Sequence, residues 1–107
     1  MPKNQEILDQ LNQVLDPEFG LGIVDMGFIY EVKLKKKPGQ KSKTKPEFHI
    51  TMTFTTPACP LMNEILNEIK AKLEEFKDSD FDVEVTFDPP WTTDRLSEKA
   101  KIKLGMI

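Results

Sequence analysis

The sequence is poor in the side chains that most often carry out chemistry in proteins. Among its 107 residues it has one cysteine, Cys59, one histidine, His49, one tryptophan and one tyrosine. A single cysteine excludes an internal disulfide and the paired cysteines of a CxxC metal or redox motif. No apolar run approaches the ~20 residues that a membrane-spanning helix needs. We therefore expect a soluble protein with no membrane partner.

The N-terminal segment of the sequence does not resemble a targeting signal. Residues 1–11, MPKNQEILDQL, have no apolar core of the kind found in secretion signals, and their acidic residues are atypical of an organellar presequence. We expect a cytoplasmic protein in which Cys59 is a free, reduced thiol. The length predicts one domain over residues 1–107 around a single core.

The charged residues are unevenly distributed along the chain. Seven of the 15 basic residues lie between positions 33 and 45, and no acidic residue falls in that span. The remainder therefore holds 8 basic and 18 acidic side chains, a balance of −10. A protein surface with this excess of acidic residues repels the phosphate backbone of a nucleic acid. The lysine-rich segment also has no GXXG clamp and no pair of aromatic residues for base stacking. We expect no nucleic-acid partner and interpret the basic segment as a solvated hairpin loop.

The spacing of apolar residues changes along the chain and predicts six elements. A helical period predicts helices over residues 4–15, 61–77 and 93–104, and strict alternation predicts strands over residues 28–35, 48–55 and 81–87. Each strand is apolar on one face only. The order α-β-β-α-β-α predicts an α+β fold: a two-layer α/β sandwich whose three-stranded sheet is covered by helices on one face.

Cys59 lies between two prolines in TTPACP, where the second predicted strand meets the second helix. Pro60 suits the first position of that helix, which would place Cys59 at or next to the N-cap. Unpaired backbone N–H groups and the helix dipole would there favour thiolate over thiol. The alternative is a small buried hydrophobic residue. The residues alone leave both interpretations open.

Few groups in the sequence are candidates to act with Cys59. His49 is ten residues away along an extended strand, roughly 30 Å at ~3.3 Å per residue, which is too far for a catalytic dyad. We interpret His49 as a solvated surface residue. The carboxylates Asp16, Glu18 and Asp25 lie in one loop that can converge on the TTPACP turn, although no metal-binding spacing is present. Helix termination is an equally good interpretation of Asp16.

Three ordered motifs resemble a known family. They are LDPEFGLGIVDMGFIYEV, TMTFTTPACPL and FDPPWTTDRLSEKAKIKLG, and together they cover nearly the whole chain. The chain resembles the PaaD-like and SufT-like metal–sulfur cluster biosynthetic proteins. This resemblance implies the fold of the iron–sulfur cluster assembly domain, which agrees with the predicted element order. The lysine-rich loop departs from the family pattern because it is longer and more basic.

The resemblance also implies roles for individual residues. Cys59 matches the family's reactive, cluster-associated cysteine and is the predicted ligand of iron or a cluster. The supporting positions are Asp16 and Glu18 of the DPE motif, Asp25 before the Gly-aromatic step, Thr55 and Thr56 ahead of the cysteine, and Trp91. Trp91 follows paired prolines and is expected to cover the site.

One cysteine limits what the chain can hold by itself. An iron–sulfur cluster generally needs about four protein ligands. We therefore expect a cluster or iron bound here to be shared with the second protomer of a homodimer, completed by carboxylates or small thiols, or held transiently with a partner. The resemblance implies a non-enzymatic accessory factor that helps assemble or deliver clusters. Its partners would be scaffold or carrier proteins and apo-protein clients.

Two other functions are alternatives to cluster maturation. The alternative is a non-catalytic adaptor or assembly factor for a multicomponent oxygenase, a role that PaaD-like members of the family have. A thiol enzyme acting alone is disfavoured, because the chain lacks a resolving cysteine and a base near Cys59.

Overall fold

The computed structural model describes residues 2–36, 45–55 and 61–105. Its elements follow the predicted order, with a short 3₁₀ turn added before the last helix. They are α1 (Asn4–Leu11), β1 (Ile29–Lys36), β2 (Glu47–Met52), α2 (Met62–Leu73), β3 (Asp80–Val85), the 3₁₀ turn (Thr93–Arg95) and α3 (Glu98–Lys103). The α+β class and the three-stranded sheet are confirmed.

The sheet has the strand order β1-β2-β3 and mixes two kinds of pairing. β2 pairs antiparallel with β1, with Leu34 opposite Phe48. The connection through α2 makes β3 parallel to β2, with Phe81 also opposite Phe48. In consequence the ends of β2 and β3 and the start of β1 lie at the same end of the sheet.

One face of the sheet forms the core and the other is open. Along β2, Phe48, Ile50 and Met52 are buried, whereas the alternate residues are only partly so. The helices bring their apolar stripes onto this covered face, and the buried helical residues are Ile7, Leu11, Ile65, Ile69, Leu73 and Ala100. The two-layer arrangement follows from this one-sided burial. Within the described residues, no helix has the length and apolarity needed to cross a bilayer.

The first helix is shorter than its apolar pattern predicts. It ends at Leu11, not near Leu15, and Asn12 is its C-cap. The side-chain Oδ1 of Asn12 accepts hydrogen bonds of 3.1 Å from the backbone N–H groups of Val24 and Asp25. Such side-chain to backbone bonds compete with continuation of a helix. Val14 still reaches the core, but from a turn.

The start of α2 also differs from the prediction. The helix begins at Met62 and its N-cap is Leu61, so the prediction of Pro60 as the first helical residue is wrong. Cys59 accordingly precedes the N-cap by two positions in the sequence. A proline at the first helical position is only a preference, and helix ends are the least certain part of a pattern-based prediction.

The predicted last helix is interrupted. The 3₁₀ turn is followed by Leu96 in an extended conformation, and α3 begins only after Ser97. Ser97 Oγ accepts a 3.1 Å hydrogen bond from the N–H of Ala100 and so caps the helix. Gly105 has a φ of 74°, which confirms the predicted left-handed residue after the helix.

Candidate functional site

The segments that carry the predicted site meet at one end of the sheet. The N–H of Thr53 bonds the carbonyl of Phe28, and that of Thr86 bonds the carbonyl of Met52, both at 2.8 Å. Thr55, which is partly buried, lies two residues beyond Thr53. The loop before β1, the end of β2 and the chain leaving β3 are thereby held together. We refer to this region as the sheet end.

Trp91 closes the sheet end from the β3 side. Its indole Nε1 donates a 2.6 Å hydrogen bond to the carbonyl of Met26. Its ring packs edge-on against Phe28 at 6.0 Å between centroids, and Phe28 in turn packs against Phe54 at 5.8 Å. Both contacts are typical aromatic geometries. The half-buried indole thus covers the start of β1.

Asp25 connects three segments that are far apart in the sequence. Its Oδ1 accepts a 3.0 Å hydrogen bond from Ser97 Oγ, and its Oδ2 accepts one of 3.1 Å from Asn12 Nδ2. Its backbone carbonyl also accepts a 2.9 Å bond from the N–H of Ser97. Both carboxylate oxygens therefore already have donors. This geometry gives Asp25 a positioning role, because it joins α1, the loop before β1 and the start of α3.

Asp16 shapes the turn of the DPE motif. Its Oδ2 accepts hydrogen bonds of 3.1 Å and 3.0 Å from the N–H groups of Glu18 and Phe19. This is the geometry of an Asx turn, in which the carboxylate replaces a backbone acceptor. Asp16 is 6% exposed, whereas Glu18 is exposed. Asp16 thus acts on the local backbone, and Glu18 is the accessible carboxylate of the pair.

Cys59 and Thr56 lie outside the described residues. The described residues nearest to them in the sequence are Thr55, past the end of β2, and Leu61, the N-cap of α2. Convergence of the carboxylates on Cys59 therefore stays a prediction. Over the three described ranges, no group of three or more His, Cys, Asp or Glu side chains is placed to hold a metal ion.

Sequence reasoning missed several contacts at the sheet end. Tyr30 donates its hydroxyl to the carbonyl of Pro89 at 2.6 Å, and the guanidinium of Arg95 lies 4.2 Å from the Tyr30 ring centroid. The helix start at Ser97 was predictable from the sequence, because a serine followed by an acidic residue is typical of a helix N-terminus. Asn12 and Tyr30 carried no such signal, since their partners are far away in the sequence.

His49 lies on the open face of the sheet, as predicted, but it has two partners there. Its Nδ1 is 2.9 Å from Asp82 Oδ2, and its Nε2 is 3.1 Å from Glu84 Oε2. The hydrogen bond to Asp82, and then that to Glu84, raise the pKa of His49 above its usual value of 6.5. His49 is therefore a member of an ionic cluster on β2 and β3.

Comparison with known proteins gives concordant matches. Residues 4–87 match the family described as "Iron-sulfur cluster assembly protein". The chain is 41% identical to the Fe-S protein maturation auxiliary factor YitW of Bacillus subtilis, over 95% of this chain and 93% of that protein. It is 34% identical to the Fe-S protein maturation auxiliary factor SufT of Staphylococcus aureus, over 87% of this chain and 98% of that protein.

A solved structure has the same architecture. It is a domain of unknown function, DUF59, from Bacillus anthracis, with a TM-score of 0.80 and 31% identity. The match covers 96% of this chain and 92% of that one. The fold described above is therefore similar to an experimentally determined structure over nearly its whole length.

Proposed function

This chain belongs to the iron–sulfur cluster assembly protein family, and from that premise we propose that it is an accessory factor in iron–sulfur protein maturation. It helps to assemble clusters or to deliver them to apo-proteins. The observation that carries this proposal is the near full-length similarity to two proteins that are both named maturation auxiliary factors. Those names favour maturation over the alternative of an oxygenase adaptor.

Cys59 is the proposed point of contact with the cluster. It is the only thiol in the chain, and thiolate is the preferred protein ligand of iron–sulfur clusters. It precedes α2, whose N-cap Leu61 has an apolar side chain and forms no cap hydrogen bond. The positive end of such a helix favours the thiolate form of a nearby cysteine. Cys59 would act as a transient ligand or exchange thiol.

The cluster is cargo in this proposal and is held only in part by this chain. Because one cysteine supplies about a quarter of the ligands that a cluster needs, the others come from a carrier, from an apo-protein client or from a second protomer. Asp25 shapes the loop at the sheet end and Asp16 shapes the turn of the DPE motif, since both carboxylates accept hydrogen bonds there. Glu18 is the carboxylate that remains exposed.

The protein acts without catalysing a reaction of its own. Nucleophilic catalysis needs a base close to the nucleophile. The single histidine, His49, lies on β2 with both ring nitrogens engaged by Asp82 and Glu84. This arrangement supports a role in holding and passing on cargo, in which specificity comes from contacts with partner proteins.

Genetic complementation tests the proposed function. In a bacterial strain that lacks its own member of this family, expression of this chain is expected to restore the activity of iron–sulfur enzymes. An enzyme without a cluster serves as the control and should be unchanged. Failure to restore the cluster enzymes, with the protein present at normal abundance, would contradict the proposal.

Anaerobic reconstitution tests the role of Cys59. The native protein and Cys59→Ser are incubated with iron and sulfide, and iron per chain is measured together with the visible absorption. Binding through the thiol predicts sulfur-to-iron charge-transfer bands in the native protein and their loss in Cys59→Ser. Equal uptake of iron by both proteins would remove Cys59 from the ligand set.

A further inference from the structure

The outer edge of β3 presents backbone groups that have no hydrogen-bond partner among the described residues. β3 is at one edge of the sheet and is paired on one side, with β2. The N–H of Asp80 bonds the carbonyl of Pro46, and the N–H of Thr86 bonds that of Met52. Since the direction of these groups alternates along a strand, the N–H and C=O groups of Phe81, Val83 and Val85 point away from β2.

That edge lacks the side-chain hydrogen bonds that would block strand pairing, as far as the described part of the chain shows. No hydrogen bond from the described side chains reaches the backbone of these three residues. The opposite edge differs, because Asn4 Nδ2 donates to the carbonyl of Val32 in β1. An uncovered edge strand is a template for pairing with another extended chain.

A groove runs beside this edge, between β3 and α2. It has a volume of about 430 Å³. Leu73 of α2 and Phe81 and Val83 of β3 form its apolar lining, and Ser79, Asp80 and Asp82 line it as well. Lys70 and Glu74 of α2 border it on the helix side. Phe81 and Val83 are only partly buried, so apolar surface remains for a partner side chain. A strand added to β3 would place its side chains beside Phe81 and Val83 into this groove.

On the open face of the sheet, the side chains of β3 are acidic. Asp80, Asp82 and Glu84 alternate with the apolar residues of β3 and lie on the open face of the sheet. His49 bonds one oxygen each of Asp82 and Glu84, yet the two carboxylate side chains remain 51% and 62% exposed. The remaining side chains of an added strand would lie next to these carboxylates, where lysine or arginine is favoured.

We propose that the β3 edge binds an extended segment of a partner protein in which apolar and basic residues alternate. The backbone of the segment pairs with Phe81, Val83 and Val85, its apolar side chains fill the groove beside α2, and its basic side chains contact the acidic row. A second copy of this chain joined β3 to β3 would oppose like charges, which destabilises such pairing.

This interaction surface is independent of the proposed maturation role. The groove residues lie along the first half of β3, whereas Thr55 and Trp91 lie at the sheet end, beyond the last residues of the strands. Binding at the edge can therefore be measured without iron or a client enzyme. Its failure would leave the maturation assays unaffected, and their failure would leave this surface unaffected.

A fluorescently labelled peptide of alternating lysine and valine is the probe. Binding of the peptide to the full chain is followed by fluorescence anisotropy. One control peptide has glutamate in place of lysine. The other has the same composition as the probe, with all lysines in one block and all valines in a second block. The alternating basic peptide is expected to bind about tenfold or more tightly than either. Equal binding of the block peptide would show simple charge attraction and overturn the proposal.

Variants of the edge locate the binding site. Val83→Pro removes an outward N–H and no bond to β2, and proline is tolerated on edge strands. We expect about tenfold weaker binding of the alternating peptide. Asp80→Lys should also weaken it, whereas Glu31→Lys, the same charge change on β1, should not. Equal effects of Asp80→Lys and Glu31→Lys would contradict a site at β3.

If Val83→Pro fails to fold, hydrogen exchange of the native protein tests the same binding site. In the native protein the amides of Phe81, Val83 and Val85 should exchange more slowly when the alternating peptide is added. Unchanged exchange at these amides would contradict strand addition. Sedimentation without peptide provides a further test, because self-association that Val83→Pro abolishes would assign the edge to a second copy of this chain.

Discussion

The indole Nε1 of Trp91 lies 2.6 Å from the carbonyl oxygen of Met26 and donates a hydrogen bond to it. This bond ties the chain leaving β3 to the turn that enters β1. The same ring packs against Phe28, so one side chain satisfies a backbone acceptor and adds apolar contact. Trp91 is therefore both a cover for the sheet end and a structural connection between its segments.

Trp91→Phe should destabilise the fold by about 1–2 kcal/mol, because it leaves the carbonyl of Met26 without its donor but keeps an aromatic ring. Urea unfolding followed by far-ultraviolet circular dichroism measures the change. Tyr30→Phe is the matched control, since it removes a 2.6 Å hydrogen bond to Pro89 at an exposed position. We expect the control to cost about 0.5 kcal/mol or less. Equal costs would refute the structural role of the indole bond.

Asp16→Ala should destabilise the protein by about 1–2 kcal/mol, because the N–H groups of Glu18 and Phe19 lose their acceptor. Asp16→Asn keeps a side-chain oxygen and should cost less than half as much. Glu18→Gln, at an exposed position, should be near neutral. Thermal unfolding of the three variants provides the comparison. An Asp16→Ala protein as stable as the native one would show that the Asx turn is not a stabilising feature.

Gly27→Ala should lower the stability of the protein more than a glycine-to-alanine change at an uncrowded position. Gly27 has a φ of 76°, and an added Cβ would collide with the backbone carbonyl of Arg95. We expect a loss of about 3 kcal/mol or failure to fold. Gly20→Ala, at a φ of 67° with open space around the site, should cost about 1 kcal/mol. Similar stabilities of the two variants would contradict close packing between Arg95 and the turn that enters β1.

The cluster of His49, Asp82 and Glu84 predicts a pH dependence of stability. The pKa of His49 is raised in the folded protein above 6.5, so the stabilisation is fully present below about pH 6.5 and is lost as the pH rises through the folded-state pKa. The free energy of unfolding of the native protein minus that of His49→Gln should therefore fall from slightly acidic to slightly alkaline pH. A difference that rises with pH would contradict the stabilising role of protonated His49 in this cluster.

The sheet was the most predictable part of the fold. Period-two alternation in the segments of β1, β2 and β3 depends only on which face of each strand is buried, and the structure confirms all three strands. The helix ends were less predictable, because they depend on side-chain partners that are distant in the sequence. Asn12, which bonds the backbone at Val24 and Asp25, ends α1 four residues before its apolar stripe does.

The motifs predicted the members of the candidate site, whereas the contacts of those members that the structure describes were not predictable from the sequence. The motifs identify Asp16, Asp25 and Trp91, and the structure places Asp25 and Trp91 at the sheet end. The sequence could not show that Asp25 is held by Asn12 and Ser97, since these bonds form only when α1 and α3 approach the same loop. The ionic partners of His49 were missed for the same reason, because they lie on another strand.

Transfer of a cluster to an apo-protein tests the central claim most directly. A cluster-loaded carrier protein is mixed anaerobically with an iron–sulfur apo-enzyme, and recovery of its activity is followed with the native chain, with Cys59→Ser or with neither. The account predicts faster recovery with the native chain and no acceleration with Cys59→Ser. Recovery at the same rate in all three mixtures would contradict it.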